Sequence, residues 1–280
     1  MTLVDSGPAS TGELEATARR QFRRARARRR RAQILLGALA LAVIIAGYGI
    51  VSELPSTNQA LLPPLSKIGS ALVDGFRNGS LLTAIWASLR RVAIGYVLGC
   101  LAAIIIGSLR GWYRTIGYLL DPIIDGLRPV PALAYIPLVI LWFGIGESAR
   151  VLVIGLAAFL SCVVSVSAGM KEVPPVYVDA ARTLGASRGQ VFRTIALPAA
   201  TPYIFAGLRV ALGAAWGTLV AAELIAAQNG LGYLLEEGQQ FFQTVTVIVA
   251  LILIGVLGYL MDLLLKLLQR RLLRWSPGRV

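Results

Sequence analysis

Residues 179–198 read DAARTLGASRGQVFRTIALP, a polar, Arg-bearing segment between two stretches apolar enough to cross a bilayer. The 280-residue chain around it is 56% hydrophobic and only 15% charged, more apolar surface than one soluble core could hide. An all-α polytopic membrane protein follows, and the segment is then an excursion out of the membrane whose polarity needs a reason. Split at Gly185, it makes two short helices meeting at an angle, because glycine enters the left-handed turn that ends a helix. Ala180, Ala181 and Leu184 give the first helix a small apolar face, flanked by Asp179 and Arg182. Such a face suits insertion into a groove of another protein. The plain alternative is an ordinary solvated loop.

The charge of the chain sets its orientation. Of the net +13, nine arginines fall between Arg19 and Arg31 in RRQFRRARARRRR, directly before the apolar run Ile34–Val51. A basic run can mark nucleic-acid binding, but Arg beside a spanning helix marks a cytoplasmic flank drawn to anionic lipid. Nucleic acid is therefore excluded as a partner and anionic lipid expected. Residues 1–32 read as a cytoplasmic Arg-rich tail and 33–280 as a transmembrane domain, with a core at 84–268 and the polar loop at 170–198. The first apolar run is longer than the hydrophobic part of a secretion signal, and Ser52-Glu53-Leu54-Pro55 offers no small-x-small cleavage site, so it stays as an anchor. Cys100 and Cys162 sit in apolar runs as small buried hydrophobes. The chain has no histidine, which removes the commonest metal ligand and general base, so no metal site is expected.

Six crossings follow, with both termini cytoplasmic. After Ile34–Val51 come a short amphipathic helix around Leu65, Ile68, Leu72 and Phe76, then spans at Ser88–Leu109, Ile116–Phe143, Val151–Gly169, Ala199–Ala227 and Val245–Leu268. QNGLGYLLEEGQQ (228–240) is expected as an outer loop. The third span carries Pro122, Pro129, Pro131 and Pro137, which break the helical ladder and are tolerated in lipid only where protein or water satisfies the freed carbonyls. Lys171, Arg182, Arg188 and Arg193 of the polar loop, and the tail Lys266–Trp275, agree in sign with the N-terminal arginines.

Charges inside the membrane are costly, so each is a candidate for the path of a solute. Arg209 lies roughly 16 Å along the helix from Pro198 and Glu223 roughly 21 Å further on, near the outer mouth. Arg128 could pair with Asp125 at i and i+3, and Asp262 with Lys266 at i and i+4, as local salt bridges. Trp142 and Trp216 could line an apolar channel or anchor at the interface. For the arginines the alternative to contact with a solute is an ion pair between helices.

The spacing Asp179-Ala180-Ala181, three residues, Gly185, nine residues, Ile195-x-Leu197-Pro198 resembles the EAA loop of importer-type ABC transporter permeases, with Asp for the usual Glu. That exchange shortens the side chain by one methylene and keeps the charge. The resemblance extends from about Ser88 to Trp275. RPVPALAYIPLVILWFGIGES (128–148) and WGTLVAAELIAA (216–227) look like the subfamily that carries taurine, alkanesulfonates, nitrate or bicarbonate and some heterocyclic vitamins or precursors, and are most similar to taurine permeases within it. The resemblance implies the type I importer fold. It also implies a coupling site at Asp179, Ala180, Ala181, Arg182, Leu184, Gly185, Ala186 and Ser187 that docks on an ATP-hydrolysing subunit. The implied assembly is a permease homodimer with two ATP-binding subunits and an extracytoplasmic solute-binding protein in the bacterial cytoplasmic membrane. The chain holds no cofactor of its own, since its three lysines, Lys67, Lys171 and Lys266, fall in no P-loop arrangement. ATP and Mg belong to the partner. An ion-coupled secondary transporter would show paired interrupted helices in two halves, yet the proline-rich interruption appears once. An intramembrane enzyme would need a nucleophile and base, and no such pair is visible.

Overall fold

The computed structural model describes residue 32, residues 35–55 and residues 58–273, so the arginines at 19–31 and Trp275 lie outside the described residues. Among these the chain is helical with no strand. It divides into two compact units, Met1–Leu65 and Ser66–Val280. In the first, α1 (Leu35–Glu53) is long and apolar enough to span, and the Tyr48 hydroxyl donates to the Pro63 carbonyl at 2.9 Å. The expected amphipathic helix is α2 (Leu65–Arg77), which buries Ile68 and Gly75.

The second unit is built on α3 (Ser80–Trp112), α6 (Glu147–Lys171) and α9 (Leu197–Ala226). Gly95, Gly99, Ala103, Gly107 and Gly111 recur every four residues along α3 and lie against α6. A Cβ on Gly99 would overlap the Gly155 carbonyl, and one on Gly107 or Gly111 would come within 2.9 Å of the Val163 oxygen or 2.6 Å of the Ser167 oxygen. Lipid supplies no hydrophobic drive between helices, so close backbone approach over small residues is what makes this pair adhere. Val92, Ile154, Ala158, Cys162, Val163, Ala211 and Leu219 complete a core shared by the three helices.

The third span is broken as its prolines require. Helix α4 (Arg114–Leu127) is followed by a 3₁₀ turn (Ala132–Tyr135) and α5 (Ile136–Phe143), and the two halves meet at 87°. With α11 (Thr244–Leu272), the described residues hold five helices able to cross, or six if the bent pair counts as one span.

Three expectations are corrected. The second span begins at Ser80 rather than Ser88, which places Arg90 and Arg91 well inside the helix instead of in its first turn. The stretch 228–240 is no plain loop: Leu231–Gln240 forms α10. Lastly, Leu197-Pro198 does not close the polar segment. The helix that starts at Arg188 runs on as α8 (Arg188–Val191), a π turn (Phe192–Ala196) and α9, one continuous rod from Arg188 to Ile225. Pro198 has no N–H to give and crowds the carbonyl four residues back. The wider π turn, in which the Leu197 N–H reaches the Phe192 carbonyl, takes the chain past it without a break.

Helix α10 ends in a left-handed turn with a bulky residue in it. Phe242 has φ +54 and is the one non-glycine with positive φ among the described residues. For an L residue that conformation costs about 1–2 kcal/mol.

Candidate functional site

The polar segment folds as an elbow whose hydrogen bonds explain its spacing. Its first arm, α7 (Pro175–Thr183), starts at Pro174-Pro175, where a missing N–H is harmless. At its end the Ala186 N–H donates to the Ala181 carbonyl at 3.0 Å and the Gly185 N–H to the Arg182 carbonyl at 2.9 Å, with Gly185 at φ +85. These are the two bonds of a Schellman turn, so the three-residue gap between Ala181 and Gly185 is a geometric requirement. The next helix starts at once on a capping box: the Gln190 N–H donates to Ser187 Oγ at 3.3 Å and the Ser187 N–H to Gln190 Oε1 at 2.7 Å. Ser187 therefore acts as a cap. Gln190, which sequence reading passed over, is its partner, and the Ser-x-x-Gln spacing was the available signal.

The inner side of the elbow is anchored. Met170, Val173, Ala196 and Ala200 are buried together, with Trp112, Val178 and Phe192 packed against them. The Trp112 and Phe192 rings lie 6.1 Å apart. The outer side is bare. Leu184 is 88% exposed, with Val176 and Tyr177 also exposed. Between the arms lies an open groove of about 450 Å³ lined by Tyr177, Ala180, Ala181, Leu184, Thr194, Ile195, Pro198 and Ala199. Ala180 and Ala181 thus border a groove of their own chain instead of offering a flat outward face. Larger side chains there would fill it. Asp179 and Arg182 are exposed beside it.

The intramembrane charges fall into three clusters. At the end of the bundle opposite the elbow, Arg91 is 2% exposed and Glu223 is fully enclosed. Arg91 donates to Glu223 at 2.6 Å, through Nε and Nη2 to Glu147 at 2.8 and 2.6 Å, and to Asn229 at 2.7 and 2.6 Å. Ser88 donates to the Glu223 carboxylate at 2.8 Å and accepts from the Leu231 N–H at 2.8 Å. The Gly232 N–H donates to Glu223 at 2.8 Å, and Arg150 to Glu147 at 2.7 Å. The network ties α3, α6, α9 and α10 into one unit. Glu223, expected along a solute path, presents no surface to a solute here. Arg91 was missed; the signal for it was an Arg pair inside an apolar run.

At the opposite end of α3, Arg110 takes both carboxylates of α4: it pairs with Asp121 and, at 3.1 Å, with Asp125. The expected Asp125–Arg128 pair is therefore not made, and Arg128 stands exposed at the break in the third span, with no ion pair among the described residues. In the third cluster, Arg209 donates through Nε to Asp262 at 3.1 Å while Lys266 holds the other Asp262 oxygen at 2.6 Å. The local Asp262–Lys266 bridge is present and Arg209 joins it from α9. Trp216 is buried, with no acceptor for its indole N–H among the described residues. Trp142 is exposed.

Residues 95–274 match the family of binding-protein-dependent transport system inner membrane components. The chain belongs to this family. It is similar to a probable ABC transporter permease protein of Brucella abortus (strain 2308), 44% identical over 241 residues that cover 86% of this chain and 95% of the relative. It is also similar to the taurine transport system permease protein of Escherichia coli K12, 40% identical over 248 residues covering 87% and 90% of the two chains. Among solved structures, the inward-facing MetNI methionine ABC transporter shares the fold at a TM-score of 0.59 and 20% identity, covering 69% of this chain and 95% of the other. The protein is thus a multi-pass inner-membrane permease subunit of an ABC importer with the type I fold. As such it works with separate ATP-binding subunits and a solute-binding protein.

Proposed function

We propose that this permease moves a small anionic solute of the taurine or sulfonate class across the cytoplasmic membrane by alternating access, driven through the elbow at Asp179–Ser187. The carrying observation is the elbow itself: a rigid, capped bend with an 88%-exposed leucine at its tip and an apolar groove between its arms. A solvated loop has no use for either. On this reading Leu184 enters a cleft of the ATP-binding subunit, and an apolar side chain of that subunit seats between Ala181 and Ile195. Closure of the motor then moves α7, and through the continuous Arg188–Ile225 rod the motion reaches the far end of the bundle. A differential contact of this kind is what any shift between inward- and outward-facing states requires.

Two copies of the permease, one elbow each, match a paired motor, with ATP and Mg held there. The elbow and both termini lie in the cytoplasm, and the Arg-rich tail lies on anionic lipid. The solute class rests on the likeness to the taurine permease. Arg128 and Arg209, two arginines of the spanning region with exposed surface, are the groups that would meet the anion, with Trp142 and Trp216 as apolar lining. Nitrate, bicarbonate or a vitamin precursor is the second reading, since the motif resemblance spans all of them.

The test has two parts. Ala181→Arg should fill the groove and prevent the ATP-binding subunit from co-purifying while leaving membrane insertion intact; normal co-purification would remove the docking claim. ATPase stimulation of the reconstituted complex by binding proteins loaded with taurine, other sulfonates, nitrate or a pyrimidine reads the solute. A response to nitrate alone would overturn the sulfonate class.

A further inference from the structure

Helix α10 ends in the turn that ends α7, with a different residue at its key position. The Gln243 N–H donates to the Gly238 carbonyl at 2.7 Å and the Phe242 N–H to the Gln239 carbonyl at 3.3 Å, so Phe242 stands where Gly185 stands in the elbow. A bulky residue is an outlier in the left-handed region, and something has to offset its strain. Nothing among the described residues does: the Phe242 side chain is 91% exposed and that of Phe241 66%.

Nor can the pair fold inward. Helix α10 is pinned at its start by Ser88 and the Glu223 carboxylate and near its end by buried Gly238, where a Cβ would meet Val247 at 2.8 Å. Helix α11 begins at Thr244, so Phe242 lies within about 8 Å of its first residue, two Cα–Cα steps away. From Gly238 to Met261 the sequence holds no charged residue, and only 17% of the most apolar window of α11 is buried inside the protein. Most of that window of α11 is thus not covered by the rest of the described chain, and the phenylalanines continue its uncharged surface. Exposed Gln239, Gln240 and Gln243 around them are polar without charge, side chains able to hydrogen-bond phosphate and ester groups.

We propose that Phe241-Phe242 is an interfacial anchor that enters the headgroup–acyl boundary of the leaflet opposite the elbow and fixes the depth at which α10 and α11 meet the membrane. Phenylalanine, with Trp and Leu, is among the side chains that interfacial segments bury at the headgroup–acyl boundary, and removal of Phe242 from water there supplies the compensation that the described residues do not. The proposal is independent of which solute is carried.

Depth measurement by nitroxide labelling tests it in the full complex in liposomes. Phe242→Cys and, separately, Phe241→Cys are labelled, with the unsubstituted protein as control because Cys100 and Cys162 are buried. ATPase activity confirms assembly, and the Phe241 variant leaves the strained position untouched. The expected result is a label severalfold more accessible to oxygen than to a water-soluble nickel chelate, at headgroup–acyl depth, and unchanged when the loaded binding protein is added. Accessibility to nickel equal to that of a label in water would overturn the anchor. So would protection from both oxygen and nickel, which would place a second permease copy there. Protection appearing only with the binding protein would assign the pair to that partner and overturn it equally.

Discussion

Substitution of Gly185 isolates backbone conformation from every other contribution, because a Cβ built there meets no atom within 4 Å. Sterics with neighbours therefore drop out, and φ +85 is what remains. An L residue in that region costs about 1–2 kcal/mol, and a β-branched residue more, since its χ1 freedom is restricted as well. If the ATP-binding subunit accepts only the bent elbow, that strain appears as lost affinity: 1–2 kcal/mol is a factor of roughly 5 to 30 in Kd. Gly185→Val is expected at or beyond the upper end, Gly185→Ala in the middle. Gly185→Asn is expected near the lower end, because asparagine enters the left-handed region more readily than other residues. The assay is titration of the ATP-binding subunit onto permease in nanodiscs, with each variant's insertion checked separately. Affinities in the order Gly, Asn, Ala, Val would follow the conformational cost. Wild-type affinity for Val would show that the bend is not needed for docking. Equal losses for Asn and Val would show that occupied space, not conformation, is what matters.

Glu223→Ala leaves Arg91, Ser88 and the Gly232 N–H facing an empty site, and breaking a buried pair of this kind costs about 3–5 kcal/mol. The Tm of the purified permease should fall sharply, while Glu223→Gln, which keeps one acceptor oxygen and the side-chain volume but turns the other position into a donor facing donors, should fall less. Gly99→Leu should prevent α3 and α6 from closing, because its side chain meets the Gly155 backbone; the chain should insert but fail to form a monodisperse peak by size exclusion. Arg209→Ala removes a half-exposed ion pair worth up to about 1 kcal/mol, so the Tm should hardly move. Loss of solute-stimulated ATPase activity in that variant, with basal activity kept, would locate the anion near α9.

Much of the elbow was legible because its logic is local. The Ala181-to-Gly185 gap is a Schellman turn, and both its bonds lie within six residues. The amphipathic helix at Leu65–Arg77 and the broken third span follow from side-chain period and from prolines, which act within a few residues of themselves. The continuity through Pro198 was not legible. A proline after a Gly-bearing segment ordinarily reads as a boundary, and only the tertiary structure shows the π turn that carries the rod past it, with Phe192 and Ala196 in one apolar cluster with Trp112 and Met170.

The charged residues divide the same way. Asp262 and Lys266 lie four residues apart on one helix, so their bridge could be read from spacing alone. Arg91 and Glu223 are separated by more than half the second unit in sequence, and nothing local distinguishes a buried, paired Glu from one lining a path. The amino-acid order by itself determined the membrane class, the spans and the bend of the elbow, because hydropathy, helical period and turn geometry are short-range properties. Which charge meets which, and which surfaces remain bare, was decided only when glycines on α3 let α6 come close enough to fix the ends of the bundle against each other.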